Sequence, residues 1–282
     1  MNKTIHYCWF GNNPLGEREH ACIASWKKHF PDWEIVQWSE VNFDINQCDY
    51  VKEAYKAEKW AFVSDYVRFF VLYQYGGLYF DTDVELIKPI DDLIDRGPFM
   101  GFEFNVPSSG EEDYIEALRS VGVSAPTVNP GLGLYATPYL DVYGEILASY
   151  ENDHFTKVDG TINQSTVVDR VTDILLGKGL NTCKAGIQQV AGVTIYPSDF
   201  FNPKNYFTGK VCITENTRSI HHFSMSWHSK REQFEYEVAT RLRSRGVNHG
   251  AARKVAALAR VVRYLDVPRL SRWMNNRRHN NS

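Results

Sequence analysis

Apolar positions in the amino-terminal part of the chain follow two different periods. Ile5–Phe10 is a short apolar run and Glu34–Trp38 alternates between apolar and polar residues, so both segments predict strands. Between them, Leu15–His29 has the spacing of an amphipathic helix that ends before Pro31. A strand, a helix and a second strand in this order indicate the beginning of a βαβ unit.

The most apolar segment follows, and it leads to a pair of acidic residues. A helical region is predicted at about Gln47–Tyr75, and its second half is apolar on most faces, which predicts burial. Gly76-Gly77 ends the helix and Leu78–Phe80 predicts a very short strand. Asp81-Thr82-Asp83 comes next. Open α/β sheets bind ligands outside the carboxyl ends of their strands, so we expect these acids at a binding edge.

The rest of the chain continues to alternate between strand and helix patterns. Further strands are predicted at Pro98–Phe104, Gly131–Ala136, Val193–Tyr196 and Arg218–His222, and further helices at Pro138–Ser149 and Ser165–Leu176. From Lys230 the pattern is helical and basic. One helical face there is apolar and holds Val255, Leu258, Val262 and Leu265. The alternation predicts an α/β fold with a basic helical C-terminal extension.

The composition is that of an ordinary globular protein and excludes disordered and fibrous classes. Hydrophobic residues make up 43% of the 282 residues and charged residues 23%. No apolar run approaches the roughly 18 residues that span a bilayer, and residues 1–7 form no apolar signal segment, so we expect a cytoplasmic protein. The five cysteines contain no Cys-x-x-Cys pair, which argues against a disulfide framework or a structural zinc site.

The net charge of −3 conceals an uneven distribution. Residues 238–282 contain eleven Lys and Arg and one acid, Asp266, whereas the rest of the chain has 20 Lys and Arg against 33 acids. Two explanations stay open: a solvated extension that packs on the acidic body, or peripheral contact with the anionic inner face of a membrane, where each cation contributes about 1 kcal/mol. The acidic body argues against nucleic acid as a partner.

Asp81-Thr82-Asp83 is a D-x-D motif, and its acids are either solvated residues at a strand end or metal ligands. Two hard carboxylates on a rigid strand end suit Mg²⁺ or Mn²⁺, which often share oxygen ligands with substrate phosphates. Like charges held this close favour a bound cation.

Asp65 and Arg68 are three residues apart on an otherwise apolar helix, so they share a face. They either form an ion pair within the helix or point at the ligand of the strand that follows. In the second case Arg68 binds a carboxylate or phosphate with two parallel hydrogen bonds.

A third polar block contains His221, His222 and Trp227. The histidines either pack in the core or complete a metal shell begun by carboxylates. The indole of Trp227 can donate a hydrogen bond to a phosphate.

Four blocks in this order resemble the family-32 glycosyltransferases. They are Ile5–Gly11, Ser64–Arg68, Tyr75–Asp83, and Ile220–His222 followed by Ser226-Trp227. This family comprises D-x-D sugar-binding-region proteins related to yeast mannosyltransferases and to bacterial capsule and lipopolysaccharide transferases, and the clostridial glucosylating toxins are similar to it. A Gly-Pro element found in relatives is not evident here, where Asn163–Thr166 stands instead, so no acceptor-binding residue is assigned.

The resemblance implies a GT-A type fold, a Rossmann-like mixed sheet flanked by helices, over residues 1–229, with the basic helical extension at 230–282. It also implies a retaining, metal-dependent hexosyltransferase with Mn²⁺ or Mg²⁺ as cofactor. The enzyme is expected to move a hexose or N-acetylhexosamine from a nucleotide-diphosphate sugar, with UDP as the expected nucleotide. The expected acceptor is a glycan, free or lipid-linked, in bacterial capsular polysaccharide or lipopolysaccharide synthesis. The alternative is a protein-glycosylating effector similar to the toxins. Front-face attack and a covalent intermediate both stay open.

The resemblance also assigns a role to each matching residue. Nucleotide-sugar binding is expected from Trp9, Asp65, Arg68, Tyr79, Asp81, Ser226 and Trp227, catalysis from Asp65, Arg68, Asp81 and Asp83, and metal binding from Asp81, Asp83 and His222. Within this set, Trp9 contacts the base and Trp227 the β-phosphate. Asp83 ligates the metal directly, and Asp81 reaches it through water.

Overall fold

The computed structural model describes residues 2–104, 118–119, 126–163, 165–224 and 229–264. The chain divides into two compact units. Unit 1 comprises Met1–Pro203 and Ile213–His222, and unit 2 comprises Lys204–Cys212 and Phe223–Ser282.

The described residues of unit 1 form a mixed eight-stranded sheet and a separate two-stranded one. The strands are β1 Thr4–Cys8, β2 Glu34–Trp38, β3 Gly77–Tyr79, β4 Val84–Leu86, β5 Phe99–Phe104, β6 Thr127–Asn129, β7 Leu134–Ala136, β8 Gln188–Val190, β9 Val193–Tyr196 and β10 Ser219–His221. The large sheet has the order β2-β1-β3-β7-β5-β9-β8, with β6 paired to β5. β1 is parallel to β2 and β3, whereas β7 is antiparallel to both of its neighbours. β10 and β4 pair antiparallel.

Helices pack around the large sheet of unit 1, and two more form unit 2. They are α1 Glu17–His29, α2 Asp49–Lys56, α3 Trp60–Tyr75, α4 Asp91–Ile94, α5 Asp141–Glu151, α6 Val167–Gly177, α7 Ser198–Phe201, α8 Lys230–Ser244 and α9 His249–Tyr264. The predicted α/β fold, a mixed sheet flanked by helices, is confirmed.

The helical region predicted at Gln47–Tyr75 consists of two helices. α2 ends at Lys56, and Glu58, two residues later, has a left-handed backbone with φ 57° that interrupts the helical path. The backbone N–H of Lys59 donates back to the carbonyl of Ala54 at 2.9 Å and closes this turn. The break gives α3 a direction of its own.

α3 is buried on most faces, as its composition predicts. Val63, Val67, Phe69 and Leu72 are fully buried in a core cluster that also contains residues of α2, α5 and α6. A second cluster lies around Trp26 of α1 and contains the side chains of α4 and α7. The buried polar residues of α3, Asp65 and Arg68, therefore stand out from the apolar side chains of this cluster.

Unit 2 is a pair of basic helices joined to the segment Lys204–Cys212. Ser229 begins α8 with a capping box, in which its hydroxyl accepts from the backbone of Glu232 and the Glu232 carboxylate accepts from the backbone of Ser229. α9 packs through Ala252, Ala256 and Val261. No helix of the described residues is long and apolar enough to cross a membrane.

The larger apolar side chains of α9 lie on its exposed face. Val255, Leu258 and Val262 are 49%, 46% and 67% exposed, respectively. They belong to the apolar helical face that the sequence predicts. α9 itself contains four Lys and Arg residues and no acid, and one of them, Arg260, pairs with Glu235 of α8 at 3.1 Å.

Candidate active site

The carboxyl ends of two strands that run in the same direction meet at one edge of the large sheet. β7 is antiparallel to β3 on one side and to β5 on the other, so β3 and β5 share a direction. Asp81 follows β3, and Glu103 is the penultimate residue of β5. Ligands of α/β sheets bind outside such an edge, which is where the sequence predicts the D-x-D motif.

Arg68 joins the buried helix α3 to the D-x-D motif. Its NH2 group lies 3.0 Å from Oδ1 of Asp65 and 3.3 Å from Oδ1 of Asp81. The side chain is almost fully buried and lies over the ring of Tyr79, 5.1 Å from its centroid. The hydroxyl of Tyr79 donates to the same Asp81 oxygen at 2.9 Å. The ion pair that the sequence predicts within the helix therefore also reaches Asp81.

Burial dominates the electrostatics of this group. It raises the pKa of Asp65 to about 7, against the lowering effect of Arg68. Burial also disfavours the cation of Arg68, but Asp81 and Tyr79 outweigh it and raise the pKa of Arg68 above its ordinary value. Burial raises the pKa of the Tyr79 hydroxyl too, so this group stays protonated and keeps donating to Asp81. The site thus presents one permanent cation shared by two carboxyl groups.

The two neighbouring histidines face different acids. Nε2 of His221 lies 3.3 Å from Oδ1 of Asp83, and Nε2 of His222 lies 2.9 Å from Oε2 of Glu85. Successive residues of a strand point to opposite faces, and β10 pairs with β4 so that His221 stands opposite Val84. Burial lowers the pKa of His221, but Asp83 outweighs it and the net shift is upward. His222, to which the family resemblance assigns a metal-binding role, is placed beside Glu85.

The donor set at this edge fits a divalent cation that shares its ligands with a substrate. Among the described residues, no group of three or more His, Cys, Asp and Glu is arranged to hold a metal by itself. Mg²⁺ and Mn²⁺ are usually bound by one or two carboxylates, with phosphates and water completing the shell. A Cβ atom at Gly131 would lie 2.0 Å from Oδ2 of Asp81, so the absence of a side chain there leaves room for this oxygen. Asp81 and Asp83 are the carboxylates available for such a cation.

A turn that sequence reasoning missed supports Asp81. β6 and β7 both pair with β5, and Pro130–Gly133 between them leaves the sheet. The carbonyl of Gly131 accepts from the backbone N–H of Asp81 at 3.0 Å, and the N–H of Gly131 donates to Oδ1 of Asn129 at 2.7 Å. The strand predicted at Gly131–Ala136 therefore begins three residues later, at Leu134. The sequence Asn-Pro-Gly is the turn signal that points to this feature.

Residues 16–100 match a family model described as "Glycosyltransferase sugar-binding region containing DXD motif". This stretch of the chain is therefore similar to the DXD glycosyltransferase sugar-binding region. Asp65, Arg68, Tyr79, Asp81 and Asp83 all lie within it. The predicted resemblance to the D-x-D glycosyltransferases is confirmed for this stretch.

Two fission-yeast mannosyltransferases are similar to the same part of the chain. Inositol phosphoceramide mannosyltransferase 1 of Schizosaccharomyces pombe is 28% identical over 109 residues, which cover 35% of this chain and 33% of that protein. Inositol phosphoceramide mannosyltransferase 3 of the same organism is 30% identical over 100 residues, covering 33% and 27%. The chain thus spans about a third or less of the length of either relative.

Two solved structures show a distant likeness over a longer stretch. The PaToxG glycosyltransferase is 15% identical with a TM-score of 0.40, covering 63% of this chain and 68% of that one. The galactosyltransferase LgtC, solved with donor and acceptor sugar analogues, is 14% identical with a TM-score of 0.38, covering 83% and 92%. A likeness this distant transfers no residue role to this chain.

Around the DXD region, the structure brings most of the predicted residues to one edge. Asp65, Arg68, Tyr79 and Asp81 form one contact group, and Asp83 stands two residues further on. Trp9 follows β1, the neighbour of β3 in the sheet, and its indole N–H donates to the carbonyl of Asn13 at 2.6 Å. The predictions for Ser226 and Trp227 lie outside the described residues.

Proposed function

We propose that the protein is a metal-dependent glycosyltransferase that moves a hexose or N-acetylhexosamine from a nucleotide-diphosphate sugar, UDP-linked, to a glycan acceptor. The observation that carries this proposal is the buried guanidinium of Arg68, held between Asp65 and Asp81 at the carboxyl edge of β3. It is a fixed positive charge within a matched sugar-binding region, at the place where a diphosphate would bind.

The chemical problem in this transfer is the negative charge that grows on the departing diphosphate. Arg68 cannot lose its proton in this surrounding and is held in one orientation, so it stabilises that charge without reorganising. Asp65 and Tyr79 fix the positions of Arg68 and Asp81. Asp81 and Asp83 would hold the cation, Mn²⁺ or Mg²⁺. When bound, the cation supplies further positive charge to the leaving group. Retention at the anomeric carbon belongs to the proposal, by either of the two routes left open above.

We propose further that the acceptor is lipid-linked and that the enzyme contacts an anionic membrane surface from the cytoplasmic side. Both relatives are named for a lipid acceptor, inositol phosphoceramide. The exposed Val255, Leu258 and Val262 of α9, on a helix with basic residues and no acid, have the character of a helix that lies on a lipid surface. Bacterial capsular polysaccharide or lipopolysaccharide synthesis is the proposed setting, on the sequence resemblance alone.

A thermal-shift screen with Mn²⁺ tests the proposed function. UDP-glucose, UDP-galactose, UDP-N-acetylglucosamine and GDP-mannose are compared, because a tightly bound donor raises the melting temperature by mass action. The best donor is then used to measure Mn²⁺-dependent hydrolysis and transfer to glycan and protein acceptors, and the protein arm tests the effector alternative. Asp83→Asn is expected to abolish Mn²⁺-dependent turnover, whereas the exposed control Asp32→Asn leaves it unchanged. If no nucleotide-sugar stabilises the wild type and none is turned over, the proposal is wrong.

A further inference from the structure

Glu103 lies at a bulge in β5. Phe102 pairs with Val128 and Phe104 pairs with Thr127, so Glu103 is the extra residue between two consecutive pairs. A bulge turns the side chain of its extra residue away from the regular alternation, and bulges are frequent next to active sites. The bulge therefore sets the direction of the Glu103 side chain, at the edge of the sheet where Asp81 also lies.

Glu103 neighbours a short series of hydrogen bonds that leads to the D-x-D motif. Gly101 stands opposite Asn129 in the pairing of β5 with β6, so Glu103 is the diagonal neighbour of Asn129. Burial raises the pKa of the Glu103 carboxyl, and the Asn129 side chain opposes that shift. Oδ1 of Asn129 accepts from the N–H of Gly131, and the carbonyl of Gly131 accepts from the N–H of Asp81. The series fixes Asn129, the neighbour of Glu103, relative to the D-x-D motif.

The strands that lead to Asp81 and to Glu103 are separated by a single strand of the sheet. This corresponds to about 9.6 Å between β3 and β5. β7 begins only at Leu134, so the turn Pro130–Gly133 lies at the edge between the two strands. A Cβ at Gly131 or Gly133 would lie 3.0 Å or less from Asp81 or Phe80, so the turn packs closely against the start of the D-x-D motif.

The charge of Glu103 contrasts with that of the diphosphate side of the site. Arg68 pairs with Asp65 and Asp81, whereas no Lys or Arg of the described part of the chain pairs with Glu103. Its ionisable neighbours are His221 and two acids, Asp169 and Asp81. A phosphate is repelled from such a position, but a hydroxyl can donate to the oxygen lone pairs that Asn129 leaves available. Sugar hydroxyls are the groups of the proposed substrates with this chemistry.

Near Glu103, two buried polar side chains each have an oxygen atom without a hydrogen-bond partner among the described residues. Asn202 donates through Nδ2 to the backbone carbonyl of Glu103 at 2.9 Å, and its Oδ1 has no hydrogen-bond partner among the described residues although the side chain is buried. Thr127, opposite Phe104, is buried and its hydroxyl is likewise without a partner in that part of the chain. Buried polar groups are seldom left unpaired without a reason.

We propose that Glu103 and Asn129 form a sugar-hydroxyl subsite across the site from Arg68. The Glu103 carboxylate accepts a hydrogen bond from a ring hydroxyl, and Asn129 holds the carboxylate in the required direction. The hydroxyl belongs either to the transferred hexose or to the acceptor sugar, and both present the same chemistry. This inference rests on the proposed glycosyltransferase function.

The test uses the full chain with Mn²⁺ and compares wild type, Glu103→Gln and the control Glu34→Gln, which changes an exposed residue at the beginning of β2. Affinity is measured by calorimetry for the nucleotide-sugar that stabilises the wild type best and for its nucleoside diphosphate. Turnover of that nucleotide-sugar is measured in water and with added glucose, galactose or mannose. Melting temperatures verify that each variant is folded.

A loss of at least about tenfold in nucleotide-sugar affinity, with unchanged affinity for the nucleoside diphosphate, is expected if the hydroxyl belongs to the transferred hexose. Unchanged affinities and hydrolysis, with loss of the extra turnover caused by added sugar, assign it to the acceptor. If Glu103→Gln matches Glu34→Gln in all of these measurements, or weakens the nucleoside diphosphate equally, the subsite is wrong. A wild type that binds no nucleotide-sugar refutes the proposed function instead.

Discussion

The guanidinium of Arg68, in the middle of α3, lies 3.3 Å from the Oδ1 atom of Asp81, beyond the end of β3. This contact joins a buried helix to the exposed edge of the sheet. The helix brings a positive charge through an apolar core to the place where the D-x-D motif begins.

Removal of the shared cation is expected to damage both stability and binding. In Arg68→Met, Asp65 and Asp81 lose the guanidinium that compensates them, and breaking a buried pair in this way costs about 3–5 kcal/mol. Arg68→Lys keeps the charge but not the planar group, so it should recover part of the stability and little of the nucleotide-sugar affinity. Urea unfolding and calorimetry measure the two effects. A methionine variant as stable as the wild type contradicts the role of Arg68 as a shared counter-ion.

Gly131→Ala is expected to displace Asp81 without unfolding the protein. The new Cβ would lie 2.0 Å from Oδ2 of Asp81, so the carboxylate has to move. We expect a loss of metal-dependent turnover of tenfold or more, about 1.4 kcal/mol or above in the barrier. The matched control is Gly177→Ala at the end of α6, where a Cβ meets no atom within 4 Å. Full turnover in Gly131→Ala would show that the position of Asp81 is unimportant.

The two histidines lead to opposite expectations. The structure places His221 beside Asp83 and His222 beside Glu85. His221→Gln should therefore raise the Mn²⁺ concentration needed for half-maximal turnover, and His222→Gln should not. The resemblance to family-32 enzymes assigns the metal to His222 instead. Titration of turnover with Mn²⁺ in both variants decides between them. A shift seen only in His222→Gln favours the family assignment.

Folding stability should depend on pH through His6, which stands opposite Tyr79 in the pairing of β1 with β3. Nδ1 of His6 accepts from the indole of Trp38 at 3.0 Å, so its Nε2–H donates to the carbonyl of Gly76 at 3.0 Å. Burial lowers the pKa of His6 from 6.5 to about 4, so the unfolded chain binds the extra proton between these values. The contribution of His6 is complete above pH 6.5 and declines by about 3 kcal/mol as the pH falls to 4.

Unfolding in urea from pH 4 to 7.5 measures this dependence. His6→Gln retains hydrogen-bonding groups but does not titrate, so its unfolding free energy should change less with pH than that of the wild type. Parallel curves for the two proteins would exclude His6 as the source.

The membrane proposal predicts a specific loss. Val262→Glu introduces a negative charge into the exposed apolar face of α9 and should reduce flotation with vesicles that contain phosphatidylglycerol. Val41→Glu changes a valine that is 88% exposed in unit 1 and serves as the control. Equal flotation of both variants, or no flotation of the wild type, rejects this surface. Loss of flotation at high salt alone would indicate that charge rather than the apolar face dominates.

The parts of the fold that repeat a local pattern could be predicted from the sequence. The apolar character of Ala61–Tyr73 predicts the burial of α3, and the glycines after Tyr75 predict its end. The short apolar run Leu78–Phe80 likewise predicts the strand that leads to Asp81. By contrast, the sequence predicts no strand at β4 or β6, where three residues are too few for a period and where, unlike at the equally short β3, no Gly-Gly pair marks the beginning.

The contacts that complete the site depend on pairing between distant segments. The register of β10 on β4 decides which histidine faces Asp83. These two strands are distant in the chain, since His222 and Glu85 are 137 residues apart. Glu103 is aimed by a register shift between β5 and β6, which no property of the β5 sequence reveals. Local chemistry therefore predicts which residues are available, and the sheet decides which of them meet.

The turn between β6 and β7 lies between the two parts of the site that the proposed function uses. In that proposal the diphosphate is bound through α3 and β3, whereas hydroxyls are recognised through the bulge of β5 and through Asn129. We therefore expect substitutions within the bulge to change which sugar is accepted and to leave the affinity for the diphosphate intact. Sugar specificity would then vary through a few positions of β5 and β6 without any change to the buried helix.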